Sequence, residues 1–361
     1  MNYFLVIFLT AFVLSLIFSP AAIKLAPKIG AIDIPKDNRR MHTKAMPRFG
    51  GMAIFIGVIA ALIVLEFFIM GKVQVMGKII KTDTRLTGVI IGGALIYIVG
   101  IIDDLKGMSA KVKFFCQIIC AVIVFQFGIR IEFFTNHFGE GHSYISGIIS
   151  LIVTVIWIVG ITNTVNLIDG LDGLAAGVAC IASFSIAYTA YIHGMYLVAL
   201  AMLAIGGGAL GFLPFNFHPA KIFMGDGGSL FLGFLLASIS IIGPVKGAAM
   251  MATVVPVLVL GVPIFDTAFA ILRRLINRRP IMEADKGHLH HRLMAAGLGQ
   301  RRSVLTLYGI SGIMGVAAIL FSRDLFLESA GLFIIALSFI YIYLTDESSP
   351  FLQLNIKEKK Q

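Results

Sequence analysis

About eleven uninterrupted apolar runs pass along this chain, and no other feature limits its fold as strongly. They lie near 2–23, 50–70, 86–102, 112–129, 144–165, 174–192, 195–213, 228–243, 248–272, 303–321 and 325–344. Most approach the roughly 20 residues that carry a helix across a ~30 Å hydrocarbon core. They are continuous, without the alternation of a transmembrane barrel. The runs at 86–102, 112–129 and 228–243 are short, and fit a thin bilayer or helix ends sunk in a polar cavity. Composition closes off the alternatives. Of 361 residues, 58% are hydrophobic and 13% charged. That leaves too few polar residues to cover a soluble domain, a disordered chain or a secreted disulfide scaffold. The expected fold is an all-α integral membrane protein. One polytopic bundle of about 11 transmembrane helices occupies 1–344, and a short tail occupies 345–361.

The first run reads as a retained helix. No Lys or Arg precedes it, and no small-residue cleavage site precedes the basic segment after it. Of the 29 Lys and Arg, 22 fall in the loops 24–49, 103–113, 166–173, 214–227 and 273–302 and in the tail. The other 7 fall in the alternate loops. The positive-inside rule then predicts an outside N-terminus and a cytoplasmic C-terminus, in a multi-pass protein of the inner (plasma) membrane. The net charge of +10 reflects this topology and contact with anionic headgroups of the lipid bilayer, not nucleic acid. Cys116, Cys120 and Cys180 read as small packing residues in helices.

Polar residues are scarce, so their clustering carries information. The motif-like ones fall in the loops assigned to the cytoplasm. Asp103 and Asp104 close an apolar helix, where two carboxylates oppose the macrodipole and call for a cationic partner. Lys106, Lys111 and Lys113 follow; the alternatives are a solvated helix end and a Mg²⁺ site completed by phosphates. Asn163 and Asn166 stand three apart at the bilayer rim, where amides serve either helix packing or function. Asp169 and Asp172 repeat that spacing between Gly170 and Gly173. Asn216, Lys221 and Asp226 lie in a block ending Gly225-Asp226-Gly227-Gly228-Ser229, a glycine-lined, anion-friendly helix start. His288, His290, His291 and Arg292 form the last block. Three His could bind zinc, but the surrounding carboxylates favour Mg²⁺, with the imidazoles donating to phosphate or sugar. Asp266, inside a helix seven residues before Arg273, reads as half of an intramembrane ion pair. A transporter of anionic solutes would also use buried polar groups, but near the midplane on broken helices. These motifs line one face.

In this order the motifs resemble the polyprenyl-phosphate N-acetylhexosamine-1-phosphate transferases, over about residues 30 to 300. The resemblance includes Pro47-Arg48-Phe49-Gly50-Gly51 in the basic first loop. It implies transfer of a sugar 1-phosphate from a UDP-sugar to a lipid phosphate, with Mg²⁺ (Mn²⁺ as a substitute) and ten or eleven helices. It further implies a catalytic group of Asp103, Asp104, Asp169, Asp172 and Lys113, and metal contacts at Asp226 and Asp104. Arg48, Asn163, Asn166, Asn216, Lys221, His288, His290, His291 and Arg292 become substrate contacts. The His288-Leu289-His290-His291-Arg292 block is similar to the N-acetylglucosamine branch, unlike the three consecutive His of the muramoyl-pentapeptide branch. The expected partners are UDP-N-acetylglucosamine and undecaprenyl phosphate, in a homodimer. Direct displacement and a two-step route through an aspartyl-phosphate are both open.

Overall fold

A computed structural model describes residues 3–34, 45–70, 74–75, 78–79, 83–131, 133–135, 142–144, 147–242, 255–276 and 288–345. The tail after 345 and residues 277–287 of the basic loop lie outside the described residues. Over those residues the body of each of the eleven apolar runs falls on helix, with a break at Leu260 in the ninth. The helices are α1 (Tyr3–Ile29), α2 (Gly51–Met70), α3 (Thr84–Lys106), α4 (Ala110–Gln126), α5 (Gly147–Ile168) and α6 (Leu174–Ile192). Then come α7 (Tyr196–Asn216), α8 (Gly225–Ser240), α9 (Gly261–Ile276), the short α10 (Leu289–Ala295), α11 (Gly299–Phe321) and α12 (Phe326–Thr345).

Seven of these, α1, α2, α3, α5, α6, α7 and α11, are long and apolar enough to cross a membrane, and α8 and α12 contain shorter apolar helices. The chain is a polytopic membrane protein. Two small antiparallel hairpins, Gln74–Val75 with Lys78–Ile79 and Phe133–Thr135 with His142–Tyr144, connect α2 to α3 and α4 to α5.

The helix α8 is the axis of the bundle. Its 16 residues are buried nearly end to end, with α2, α3, α5, α6 and α7 packed round it. At 1.5 Å per residue it is about 24 Å long, short of a full crossing. Its N-terminus meets a cluster of polar side chains. Around it α1 packs on α2 and α7, α6 on α7, and α11 on α6 and α12. The first apolar run is therefore an integral part of the bundle.

Glycines set how closely the axis is approached. A Cβ on Gly100 of α3 would stand 2.5 Å from Gly227 Cα and 2.6 Å from the Asp226 carbonyl oxygen. A Cβ on Gly51, the first residue of α2, would collide with the Gly228 backbone. The obstacles are main-chain atoms, which cannot turn aside as a side chain can. Gly100→Ala should therefore lower the melting temperature of the detergent-solubilised protein, by an overpacking cost of about 1–3 kcal/mol. That cost exceeds the ~1 kcal/mol of helix propensity gained. Gly309→Ala, where a Cβ meets open space on α11, should leave stability unchanged or raise it.

Candidate active site

The acidic end of α3 meets the N-terminus of α8. Asp104 Oδ1 accepts from the Asp226 amide at 2.9 Å, and Oδ2 accepts from the Gly227 amide at 2.9 Å. The carboxylate that opposed its own helix dipole thus satisfies two orphan donors at the positive end of another. Its side chain is only 2% exposed, and Arg48 Nε stands 3.0 Å from Oδ1. Gly225 begins α8 at φ +74, and a Cβ there would stand 2.6 Å from Asp104 Oδ2, so glycine serves both the turn and the approach.

The loop before α2 aims Arg48. The Phe223 amide donates to the Pro47 carbonyl at 2.8 Å. The amides of Gly50 and Gly51 donate to the carbonyls of Phe223 and Met224 at 2.9 and 2.8 Å. These bonds lace the Pro47–Gly51 motif to the approach to α8. The guanidinium then bridges Asp104 and Asp226, with Nη2 3.1 Å from Asp226 Oδ2.

Asp103 turns the corner into α4. Its Oδ1 accepts from the Met108 amide at 2.6 Å, and Gly107, at φ +70, donates its amide to the Asp103 carbonyl. The Ser109 hydroxyl accepts from the Val112 amide and caps α4. Lys113, one turn into α4, reaches Asp103 Oδ2 at 2.7 Å and Asp226 Oδ2 at 3.0 Å. Asn166, near the end of α5, donates to Asp226 Oδ1 at 2.7 Å and to the Ser229 hydroxyl at 2.8 Å. One turn deeper, Gln117 and Asn163 exchange amide hydrogen bonds of 2.5 and 3.3 Å.

The structure thus brings Arg48, Asp103, Asp104, Lys113, Asn166 and Asp226 into one cluster, with Asn163 beneath it. Asp169 lies on the turn after α5, within electrostatic reach of Asp226, Arg48 and Asp104. Burial, then the negative charge of Asp226, pushes its pKa well above the usual carboxylate range.

Other expected site residues sit elsewhere. Asp172 Oδ2 faces His218 Nδ1 at 2.8 Å and accepts from the Ala220 amide at 3.1 Å. Asn216 is 2% exposed and joins the same two loops: it accepts from the Gly173 amide and donates to the Ile222 carbonyl. Lys221 is exposed beyond them. His288 is buried against Asp266 at 3.0 Å. His291 and Arg292 are half-buried on α10, and the side chain of His290 lies outside the described residues. The sequence reading missed Gln117 and His218. Gln117 is four residues past Lys113 on the same face of an apolar helix, a signal that could have found it.

A divalent cation fits this donor set. Four carboxyl groups, from Asp103, Asp104, Asp169 and Asp226, gather with two fixed cations, Arg48 and Lys113, so carboxyl groups outnumber cations in the cluster even with Asp169 protonated. Those residues contain no group of three or more His, Cys, Asp or Glu poised to hold a metal. Mg²⁺ does not require one, since it takes one or two carboxylates and leaves positions for water and substrate phosphates. Asp104 is enclosed, its side chain 2% exposed with both oxygens on helix-end amides, whereas Asp103 and Asp226 are 10% and 17% exposed, so Asp226 and its neighbour Asp103 present more carboxyl surface to an ion.

A glycosyl transferase family 4 profile matches residues 86–244, from α3 to just past α8. A Bacillus subtilis (strain 168) protein named probable undecaprenyl-phosphate N-acetylglucosaminyl 1-phosphate transferase is 44% identical over 343 residues, 95% of this chain and 91% of that one. The chain belongs to glycosyl transferase family 4. Within the family it is 34% identical to a decaprenyl-phosphate N-acetylglucosaminephosphotransferase of Mycolicibacterium smegmatis, over 81% of this chain and 76% of that one. It is 30% identical to the phospho-N-acetylmuramoyl-pentapeptide-transferase of Bacillus subtilis (strain 168), over 86% and 95%. The family resemblance carried by the ordered motifs is borne out. The matched region contains every cluster residue except Arg48.

Two outcomes follow from the geometry. Asp104→Ala strands two helix-end amides and a guanidinium, and should lower stability by about 3–5 kcal/mol, the usual loss when one partner of a buried ion pair is removed. A thermal melt or urea titration in detergent reads this. Asp169 has a folded pKa above its unfolded one, so its ionisation disfavours the folded state. With divalent cations chelated, stability should fall as pH rises from the ordinary Asp range through the raised folded value. Asp169→Asn should remove that component from a plot of melting temperature against pH.

Proposed function

We propose that this chain transfers N-acetylglucosamine 1-phosphate from UDP-N-acetylglucosamine to undecaprenyl phosphate, releasing UMP and leaving a lipid-linked pyrophosphoryl sugar that initiates a cell-envelope glycan. The observation that carries this reading is 44% identity across 95% of the chain to a relative named for that activity. The muramoyl-pentapeptide alternative rests on a more distant relative, at 30%.

The chemistry of the cluster suits the reaction. A phosphate monoester has a second pKa near ~6, so the lipid phosphate is mostly dianionic at neutral pH and needs no strong base. The harder task is to bring it to the β-phosphorus of an anionic nucleotide sugar. Arg48 and Lys113 are held by Asp103, Asp104 and Asp226, and are preorganised to receive phosphate oxygens without reorienting. Asn166 holds Asp226 from the other side. Asp226, with Asp103 or Asp169, would hold Mg²⁺. When bound, the ion supplies charge neutralisation and alignment of the phosphates, as in other phosphoryl transfers. The acceptor phosphate is placed near Asp103, at the α3–α4 corner.

We count eleven crossings, adding α4, α8, α9 with the helical residues before it, and α12 to the seven long helices. The Lys and Arg bias then supports an outside N-terminus and an active site on the cytoplasmic face of the plasma membrane. The cluster gathers at the ends of α3 and α5 and the starts of α2, α4 and α8, which that orientation puts on one side.

The test is UMP release by the purified full chain in detergent with undecaprenyl phosphate and Mg²⁺. Release is expected with UDP-N-acetylglucosamine and not with UDP-N-acetylmuramoyl-pentapeptide. Asp226→Asn should lower the rate by roughly 10²–10³-fold, the scale of losing a preorganised electrostatic contact. Release with the second donor alone would assign the chain to the muramoyl-pentapeptide reaction instead.

A further inference from the structure

Asp266 lies outside the cluster, on α9, yet it is tied to the last sequence block. Its Oδ2 stands 3.0 Å from His288 Nδ1, and its Oδ1 accepts from the Leu289 amide at 2.7 Å. The two side chains are 7% and 6% exposed. A carboxylate and an imidazole buried so deeply are costly unless paired, and here each satisfies the other.

The second bond adds a function to the first. His288 is the N-cap of α10, and its own side chain makes no cap bond. Asp266, 23 residues earlier in the chain, satisfies the first α10 amide. One carboxylate therefore sets both the imidazole and the start of the helix bearing His291 and Arg292. The ring nitrogen that faces the carboxylate is Nδ1.

The place of this tie is also informative. Asp266 and Leu289 share the wall of a small apolar cavity with Ile168, Leu174, Val262 and Leu307. Ile168 and Leu174 flank the turn that carries Asp169 and Asp172. The cavity wall thus packs the start of α10 against the shoulders of the acidic turn.

We propose that Asp266 is a positioning residue for the reaction: through His288 and the Leu289 amide it orients the His288–Arg292 block toward the donor nucleotide sugar beside the Asp169 turn. This role rests on the function proposed above. Asp266 itself touches no substrate.

Asp266→Asn is the informative substitution. It keeps the side-chain shape and an oxygen for the Leu289 amide, but can present an NH₂ group to the ring nitrogen in place of a carboxylate oxygen. Two readouts apply to purified protein: hydrogen exchange of residues 288–295, and KM and kcat for UMP release from UDP-N-acetylglucosamine. The expected result is faster exchange in that segment, and a rise of about tenfold in KM with a smaller change in kcat. His288→Gln should give a similar KM, and the double variant should be no worse than the poorer single one, because the two residues act as one unit. Unchanged exchange, additive single effects, or a fall in kcat at constant KM would overturn the proposal. A wild-type protein that releases no UMP would overturn the proposed function and this role in it. Unchanged exchange in an active enzyme would overturn this role alone.

Discussion

The site depends on one junction, where Asp104 at the end of α3 faces the first amides of α8. Two unfavourable helix ends resolve each other there. Carboxylates at a helix C-terminus oppose the macrodipole, and the first amides of a buried helix lack acceptors. Joined, with Arg48 bridging Asp104 to Asp226, they make a polar cluster in an otherwise apolar bundle. The first amides of the axis helix α8 find their acceptor in this junction instead of in water.

Close approach of backbones makes the junction possible. Gly51, Gly100 and Gly225 leave room for α2, α3 and Asp104 against the start of α8. The contribution of these glycines is the absence of a side chain at three points of contact. Polar pairs along the α4–α5 seam, Lys113 with Asn166 and Gln117 with Asn163, hold the other wall. With no hydrophobic drive between helices in lipid, such pairs and tight packing are what specify which helices meet.

Much of this was legible in the chain. The bodies of the eleven apolar runs lie on helix over the described residues, because run length is a local property that the hydrocarbon thickness imposes. Asp103, Asp104, Lys113, Asn166 and Asp226 stood out because charges and amides are scarce in such a chain, and the structure gathers them. The division of labour among them was not legible. Nothing in the sequence says that the oxygens of Asp104 meet two amides and a guanidinium. Asn216 reads as a substrate contact until it is found buried between two loops. Asp172 and Asp169 share a motif and a spacing, yet one faces His218 and the other faces the cluster.

The sequence by itself determined that this is a membrane bundle with a polar site at one end, because apolar run length and the rarity of polar residues depend only on local composition. It also carried the family, through several ordered motifs. Only the tertiary structure decided which groups each carboxylate meets. A hydrogen-bonding group has a fixed number of partners, and residues as far apart as Asp104 and Gly227, or Asp266 and His288, compete for them only once the helices have packed.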